Sequence, residues 1–394
     1  MILLPFKAWL PKQEFAELVA AKSTGYANSQ EIIKLLQNNP LSYLHAVKPY
    51  LHFGTENKIP ELHFAYGANY IKQLQEQSVI KQEQKNAFYL YKQSNESENS
   101  EFYGLISLCN HQSYMQGKIK LHEKTITEKE NLLIEHIKYT KMSGEPVLMM
   151  HAYNKKLDEY FLSIMKTQAN LFLNQENVAH QVWVIDNEDD IARISSFYQK
   201  IDSLYLADGH HRSAAINRYI ADKKIAAKGF MSLSMFANHL KILPFHRMIR
   251  SNGIDLISGL QKRGFNITKS DNPVMPFERN CFGLFYNNEW YAMNWCNNPA
   301  YSLDVICIEN EVLLKILAIT NSQIDDNIDF IAGNNTVNQI LNTMVSKNFD
   351  TLITLHHCEI EDVCKIADNG SIMPPKSTYI LPKLLTGFTI HELI

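Results

Sequence analysis

A cluster of residues suited to chemistry stands at one predicted junction between a strand and a helix. It lies within the stretch SLYLADGHHRSAAINRYI and comprises Asp208, Gly209, His210, His211 and Arg212. The first N–H groups of a helix lack intrahelical partners and carry partial positive charge, so such a junction suits a phosphate or a carboxylate. Glycine permits a tight turn, arginine offers a planar fork to phosphate oxygens, and histidine donates to anions or transfers protons near neutral pH. The turn therefore predicts an anion-binding site.

The carboxylate of this turn has several open roles. Asp208 could orient one of the histidines, bind a metal ion such as Mg²⁺, or cap the helix. The alternative for the whole turn is a capped helix with two solvated histidines. We favour the functional interpretation, because five such groups in a row exceed what a helix cap needs.

A second candidate is the stretch KLHEKTITEKE, which holds His122 and Glu123. On an extended segment these neighbours point to opposite faces, so only one of them would face a given ligand. Glu123 is a candidate base or metal ligand, and His122 a candidate substrate contact. The alternative is a solvated run of charges.

A third candidate is the stretch MPPKSTYILPKLLTGF. Its two prolines stiffen the chain just before Lys376, Ser377 and Thr378, which could then hold an anion with little loss of conformational freedom. The letters KST also end a P-loop motif, but no glycine-rich run precedes them, so a P-loop is excluded. The alternative is a loop with a purely structural role.

Isolated histidines and an arginine provide weaker candidates for substrate contacts: His180, His246 and Arg247. A lone histidine near a strand is more often a satisfied core or surface residue than a ligand. His356 and His357 precede Cys358, but neighbours on a strand face opposite ways, so we do not expect a metal site there.

Seven motifs occur in the order LLPFKAWLP, NPLSYLHAVKP, KLHEKT, HQVWVID, YLADGHHRSAA, LPFHRMI and MPPKSTYILPKLLTGF. In this order they resemble the bacterial and archaeal domain-of-unknown-function family 1015, and the resemblance covers nearly the whole chain. One departure is the stretch AKSTGYANS, where the family usually has Pro-Tyr-Asp after the first helix.

The DGHHR turn is also similar to the DG-x-HR signature of the ParB and sulfiredoxin-like superfamily, which includes sulfiredoxin, CTP-binding partition proteins and free serine kinases. The resemblance implies that Asp208, Gly209, His211 and Arg212 hold phosphates, with Ser213 beside them. The serine kinases use a glutamate well upstream of the turn as a base. Motif order makes Glu123 its counterpart.

The resemblance and the residues together predict a phosphotransferase that acts on a small metabolite, with serine or phosphoserine as the first choice. Either direction stays open, as a kinase or as a phosphatase or phosphotransferase running from phosphoserine. Mg²⁺ is the expected cofactor, with ATP or ADP as the nucleotide if one is used. Glu123 or His210 would take the proton from the attacking hydroxyl or water.

Two alternatives stay open. One is a nucleotide-gated regulator or DNA-associated protein of the partition type. The other is a metal-dependent hydrolase with Asp208, His210 and His211 as ligands. Sulfiredoxin-like chemistry has the least support, because His210 stands where that signature has a cysteine.

Composition limits the partners. The 394 residues carry a net charge of -3 with a pI of about 6.6, and no Lys/Arg-rich stripe is visible, so nucleic acid is not the expected partner. The N-terminal stretch lacks the features of a signal peptide, and no apolar run reaches the 18 or so residues of a membrane span. Six scattered cysteines fit reduced thiols and no structural zinc site. We therefore expect a cytoplasmic protein without a membrane partner; a homodimer stays open.

Alternating strand and helix patterns must position these residues, and they predict a mixed α/β (α+β) fold. We divide the chain into an N-terminal α+β segment (1–99), a central ParB/sulfiredoxin-like nucleotide-binding domain with the DGHHR turn (100–250), and a C-terminal α+β domain with the PPKST loop (251–394). We expect that loop to fold over the turn. Local signals also predict a helix cap at Thr127 with Glu130, a hairpin turning at Ala237-Asn238, and a second hairpin around Asn287-Asn288.

Overall fold

The computed structural model describes residues 2–22, 29–53, 59–223, 225, 227–296 and 303–393. The α-helices are α1 Ala16–Val19, α2 Ser29–Asn38, α3 Leu44–Val47, α4 Pro60–Glu76, α5 His111–Met115, α6 Thr127–Thr140, α7 Lys155–Ile164, α8 Glu188–Tyr198, α9 His210–Lys223, α10 Leu256–Lys262, α11 Asp304–Cys307, α12 Val337–Ser346 and α13 Ile360–Asp368. The 3₁₀ helices are Gln13–Phe15, Pro49–His52 and Ala237–His239, and a π-helix spans Ile308–Leu314.

The strands are β1 Leu3–Leu4, β2 Ala8–Pro11, β3 Ala21–Lys22, β4 Ile80–Gln82, β5 Phe88–Asn95, β6 Ser100–Asn110, β7 Ile119–Lys120, β8 Met142–Ser143, β9 Val147–His151, β10 Leu171–Gln175, β11 Val178–Ile185, β12 Leu204–Asp208, β13 Gly229–Phe236, β14 Lys241–Leu243, β15 Phe245–Ile249, β16 Phe265–Ser270, β17 Cys281–Tyr286, β18 Glu289–Trp295, β19 Ile328–Ala332, β20 Thr351–Leu355, β21 Tyr379–Leu381, β22 Leu385–Thr386 and β23 Ile390–Glu392. The expected mixture of helix and strand is confirmed.

The chain forms two compact units. The first comprises Met1–Leu121, Thr125–Leu240 and Pro382–Ile394, and the second comprises His122–Lys124 and Lys241–Leu381. The C-terminal segment thus returns to the first unit. The boundaries of these compact units differ from residues 99 and 250. The division into three domains at those two residues stays a prediction.

A large mixed sheet organises the first unit, with strand order β10-β11-β5-β6-β13-β9-β12-β7 and β1 beside β6. The β13–β9 and β12–β7 pairs are parallel and the others are antiparallel. Every residue of β13 is buried, as expected for a strand with neighbours on both edges and layers on both faces. The sheet therefore provides a rigid base for the turn that follows β12.

Helix α9 packs against one face of this sheet. Its apolar residues Ala215, Ile216 and Ile220 join a core with Phe230 of β13 and Leu206 of β12. Because buried side chains recur on one side of α9, packing fixes the helix direction and with it the place of its first turn. The helix N-terminus consequently lies at the end of β12, directly after Asp208.

The second unit is built on a six-stranded antiparallel sheet with strand order β16-β18-β17-β20-β15-β19. Met248 and Leu352 on this sheet pack with Ile340 and Met344 of α12. Strands β14 and β21 form a separate antiparallel pair. The hairpin predicted around Asn287-Asn288 is confirmed as β17–β18, and both asparagines adopt positive φ, as a tight two-residue turn requires.

Two local predictions were wrong. The expected hairpin at Ala237-Asn238 does not form, because both edges of β13 are taken by β6 and β9, and 237–239 is a 3₁₀ helix instead. Thr127 does not cap α6: the N-cap is Ile126, and Glu130 accepts from the Thr125 hydroxyl at 2.5 Å. At the first place the pairing of β13 with distant strands outweighed the local signal; at the second the helix begins one residue earlier than the cap signal indicated.

Most of the stretch AKSTGYANS, which departs from the family pattern, lies outside the described residues. Within the described part of the chain, every helix is too short or too polar to cross a lipid bilayer.

Buried histidines predict that the first unit is sensitive to acid. Burial lowers the pKa of His151 and His180 to about 4, and that of His210 and His391 to about 3. The unfolded chain takes up protons below its own histidine pKa of about 6.5 while the folded chain does not, so stability is present above that pH and is lost as pH falls toward 4. Each of these groups contributes a slope of up to about 1.4 kcal/mol per pH unit in that window.

The measurement is urea unfolding at intervals between pH 7 and 5, for the wild type and for His391→Gln. We expect a steep loss of unfolding free energy in the wild type and a shallower one in the variant, by about one bound proton. A profile that is flat over this range would contradict the prediction.

Candidate active site

The candidate site begins where β12 ends. Gly209 joins the strand to α9 with a φ of +100°, which L side chains rarely adopt. The Ser213 N–H donates to the Gly209 carbonyl at 3.0 Å, so the helical hydrogen bonds start at this residue. A side chain on Gly209 would also meet the guanidinium of Arg212, with Cβ at 2.9 Å from Nη2. The glycine is therefore required both by the turn and by the arginine folded over it.

Asp208 is held between two positive charges. The ammonium of Lys383 donates to Oδ2 of Asp208 at 2.7 Å, and the carboxylate is 45% exposed. Partial burial by itself raises the pKa of this carboxyl, but the charges of Lys383 and Arg212 outweigh it and lower the pKa to about 2. Asp208 is consequently a carboxylate throughout the neutral range.

Arg212 points away from solvent toward a glutamate. Its Nη1 lies 2.9 Å from Oε1 of Glu145, and its Nη2 donates to the Pro146 carbonyl at 3.3 Å. Both side chains are mostly buried, at 26% and 19% exposed. The turn thus has two cations, on Arg212 and Lys383, balanced by two carboxylates, on Glu145 and Asp208.

His210 is buried and uncharged. Burial lowers its pKa to about 3, although the carboxylate of Asp208 acts in the opposite direction. At neutral pH the ring is therefore an imidazole and adds no positive charge to the turn.

The tautomer of His211 is set by the backbone. The N–H of Ile126 donates to Nε2 of His211 at 3.0 Å. Because Nε2 accepts this hydrogen bond, a neutral His211 carries its proton on Nδ1. The segment before α6 therefore orients the second histidine of the turn.

Tyr43, from the motif NPLSYLHAVKP, packs against the two segments that carry Glu145 and Lys383, the ion-pair partners of the turn. Its ring packs against Gly144 and its Cβ against Gly387, where any added side-chain carbon would lie 2.2 and 2.4 Å from it. Gly387 N–H also donates to the Gly144 carbonyl at 2.7 Å. This contact joins the loop that carries Glu145 to the C-terminal segment that carries Lys383.

Asp208, Gly209, His210, His211 and Arg212 are consecutive residues at the end of β12 and the start of α9. Ser213 lies one residue further along α9, where its buried hydroxyl donates to the His210 carbonyl at 2.9 Å. His180 lies elsewhere in the first unit, buried on β11, with Nδ1 at 2.8 Å from the Tyr91 hydroxyl. Their roles in phosphate or substrate binding stay predictions.

Other predicted site residues belong to the second unit. His122 is buried, its carbonyl accepts from the Met373 N–H at 2.8 Å, and Glu123 follows it. The ammonium of Lys376 lies 5.4 Å from the ring centre of Phe245.

The two hydroxyl residues after Lys376 are buried, and Ser377 donates to the Pro374 carbonyl at 2.6 Å. This bond closes the proline loop on itself. The expectations that Thr378 and its neighbours hold an anion, and that the loop folds over the turn, stay predictions. His246 and Arg247 are buried neighbours on β15, and Nδ1 of His246 accepts from the Leu355 N–H at 3.2 Å.

Sequence reasoning missed Lys383 and Glu145. Lys383 stands in the same motif as Lys376, MPPKSTYILPKLLTGF, and attention to its second lysine could have found it. Glu145 carries a weaker signal, a glutamate between Gly144 and Pro146 directly before a buried strand. No local pattern pairs either residue with the turn, because the ion pairs join positions 175 and 67 residues apart.

Replacing Gly209 tests how tightly the turn is built. Gly117 provides a matched control, because it also has positive φ, +72°, but an added carbon there meets nothing within 4 Å. We expect Gly117→Ala to lose about 1–2 kcal/mol from backbone strain alone. Gly209→Ala should lose clearly more, because the methyl group also displaces the guanidinium of Arg212.

The measurement is the free energy of unfolding in urea for the wild type and both variants. Equal losses in the two variants would mean that Arg212 does not constrain the turn.

A family model described as "Protein of unknown function (DUF1015)" matches residues 3–314. No curated protein matches the sequence. Solved structures that are similar include a mutant free serine kinase in complex with AMP, at 14% identity over 68% of this chain and 85% of that one, with a TM-score of 0.39.

Two other similar structures are SbnI with a C-terminal truncation from Staphylococcus aureus and a conserved hypothetical protein from Pyrococcus furiosus. The first has 12% identity over 71% of this chain and 85% of that one, with a TM-score of 0.40. The second has 15% identity over 67% and 87%, with a TM-score of 0.35. These TM-scores are too low to support an argument about this chain, and the likeness to the ParB and sulfiredoxin-like superfamily stays a prediction.

Proposed function

This chain belongs to the DUF1015 family of proteins of unknown function, and on that premise we propose that it is a phosphotransferase acting on a small hydroxyl-bearing metabolite. Serine is the proposed acceptor, or phosphoserine the proposed donor in the reverse direction. The phosphoryl group would be held at the turn that begins with Asp208. A new bond forms between the acceptor oxygen and phosphorus while the bond to the leaving phosphate oxygen breaks, and a base takes the hydroxyl proton.

The observation that supports this proposal is the balanced set of charges at the N-terminus of α9. Phosphoryl transfer needs positioning and neutralisation of charge more than covalent help from the protein. Here the first N–H groups of a 14-residue helix stand beside the cations of Arg212 and Lys383. Glu145 and Asp208 hold those cations in place in the absence of substrate, so little reorganisation is needed when phosphate oxygens arrive.

Phosphate would compete with Glu145 for the guanidinium fork. Arg212 donates to Glu145 through Nη1, and a phosphate carries more charge and more acceptor oxygens than a carboxylate. Arg212 is therefore the proposed clamp for phosphate. Lys383, which donates to Asp208, is a proposed second clamp.

Mg²⁺ fits the residues of the turn. Mg²⁺ is usually bound through one or two carboxylates together with the phosphates of the substrate. Asp208 is ionised and about half exposed, so its carboxylate is suited to such a contact. When bound, Mg²⁺ would neutralise charge on the phosphate oxygens.

Glu123 is the base that we propose in preference to His210. A general base works best with a pKa near the pH of the reaction, and burial lowers the pKa of His210 to about 3. That ring would be a hydrogen-bonding group rather than a proton acceptor. The role of Glu123 rests on motif order and is tested by Glu123→Gln.

The metal-dependent hydrolase is less favoured by the geometry. It needs Asp208, His210 and His211 as common ligands, but Nε2 of His211 already accepts a hydrogen bond from Ile126. Among the described residues, these three do not form a group of converging ligand atoms.

The test is phosphoryl transfer by the purified full chain with Mg²⁺, given serine with ATP or ADP, and phosphoserine with and without ADP. We expect turnover in one direction and a loss of at least about 10²-fold in Arg212→Ala, the size seen when a charge-stabilising donor is removed. Lys383→Met should lose activity as well. Arg218→Ala is the matched control, because Arg218 also lies on α9 and pairs with a glutamate, Glu130.

The outcomes separate the hypotheses. Equal turnover in the wild type and Arg212→Ala would refute the proposed clamp. Absence of turnover together with nucleotide binding that depends on Arg212 would replace the phosphotransferase with the nucleotide-gated regulator.

A further inference from the structure

Arg247 is a buried arginine in the second unit with part of its hydrogen-bonding capacity unused. It lies on β15, opposite Phe330 of β19 and Ile353 of β20, and none of its surface is exposed. Its guanidinium carbon lies 5.3 Å from the ring centre of Phe330. A cation in such a place is costly to bury unless it is paired and hydrogen-bonded.

One edge of this guanidinium is left unsatisfied. Nη1 donates to the Phe245 carbonyl at 2.5 Å. Among the described residues, neither Nε nor Nη2 has a hydrogen-bond partner, although both atoms are buried. Nε–H and one N–H of Nη2 point in the same direction, and this edge is the fork that binds two oxygens of a carboxylate or phosphate.

Arg250, three residues further along the chain, provides a comparison, because its guanidinium is fully hydrogen-bonded within the protein. Its Nε and Nη2 donate to the carbonyls of Asn348 and Lys347, both at 3.1 Å, and Nη1 donates to the Asp326 carbonyl. The guanidinium stacks on Phe349 at 4.4 Å. All three of its nitrogens have partners, in contrast to the open edge of Arg247.

Glu309, on the π-helix, is a carboxylate whose charge acts on Arg247. The negative charge of Glu309 acts on the guanidinium and raises its pKa, against the lowering by burial, which leaves the pKa at about 10. Oε1 of Glu309 accepts from the Ser322 hydroxyl at 2.6 Å. Oε2 is buried and has no hydrogen-bond partner within the described chain.

The same region therefore contains an unsatisfied pair of donors and an unsatisfied acceptor, which interact through their charges without a direct hydrogen bond. Buried polar groups in proteins are nearly always paired, and each exception calls for an explanation such as a functional role or a bound water or ion. π-Helical turns also occur frequently at functional sites. A molecule that accepts from Arg247 and donates to Glu309 would satisfy all of these atoms.

We propose that Arg247 and Glu309 form a binding site for a small α-amino carboxylate, with the carboxylate on the Nε/Nη2 edge of Arg247 and the ammonium on Oε2 of Glu309. The charges decide this class of ligand. Arginine and glutamate together are neutral, and so is a zwitterion, so each charge acquires an opposite partner. A phosphate dianion would bring two negative charges against one arginine beside a glutamate, which a buried site disfavours.

This inference is independent of the proposed phosphotransfer, because it concerns binding in the absence of nucleotide. Arg247 has no exposed surface, so neighbouring side chains must move for a ligand to enter. Binding is therefore measured at equilibrium after long incubation.

The experiment is isothermal titration of the full chain with L-serine, glycine, acetate and inorganic phosphate, without nucleotide or Mg²⁺. We expect the two amino acids to bind and acetate to bind at least about tenfold more weakly, since it lacks the ammonium. Arg247→Lys keeps the charge but loses the fork, and should reduce amino-acid binding at least about tenfold. Glu309→Gln, which is nearly isosteric, should reduce amino-acid binding but not acetate binding.

Arg250→Lys is the matched control and should bind amino acids like the wild type. Thermal unfolding without ligand checks that each variant is folded. If Arg247→Lys is not folded, Glu309→Gln tests the site instead. Amino-acid binding that is absent in the wild type, or unchanged in folded Arg247→Lys, would overturn the proposal. Tighter binding of phosphate than of amino acids, lost in Arg247→Lys, would also overturn it in favour of an inorganic anion site.

Discussion

The contact between Lys383 and Asp208 is the interaction on which the candidate site depends. It joins the C-terminal segment to the strand that precedes α9, across 175 positions of sequence. Without the lysine, the carboxylate would face the helix N-terminus and Arg212 alone, and Arg212 is already engaged by Glu145. The ion pair therefore fixes the charge of Asp208 and the place of the last segment together.

Packing beneath the turn explains why these ion pairs form in one arrangement. Tyr43 fills the space between Gly144 and Gly387, so the loop before β9 and the C-terminal segment approach each other closely. Surface ion pairs on long side chains contribute little stability by themselves. Here apolar packing sets the backbone positions of both segments. The charged side chains that they carry therefore lose little further conformational entropy when they pair.

Both units contain polar groups that stability alone does not explain. In the first unit, the buried neutral His210 and two balanced ion pairs lie at the end of β12. In the second unit, Arg247 and Glu309 are buried with unsatisfied hydrogen-bonding atoms. Natural proteins accept such local costs mainly where a ligand or a reaction recovers them.

The sequence by itself determined the mixed α+β class, the strand–turn–helix around Gly209 and the hairpin at Asn287, because turn chemistry and local periodicity specify these features within a few residues. It also provided the hypothesis that the DGHHR turn binds phosphate. Tertiary structure decided that β13 is a central strand, that Glu130 pairs with Arg218 of α9, and that Lys383 reaches Asp208. These outcomes depend on pairing and burial between segments far apart in sequence, and no local pattern contains that information.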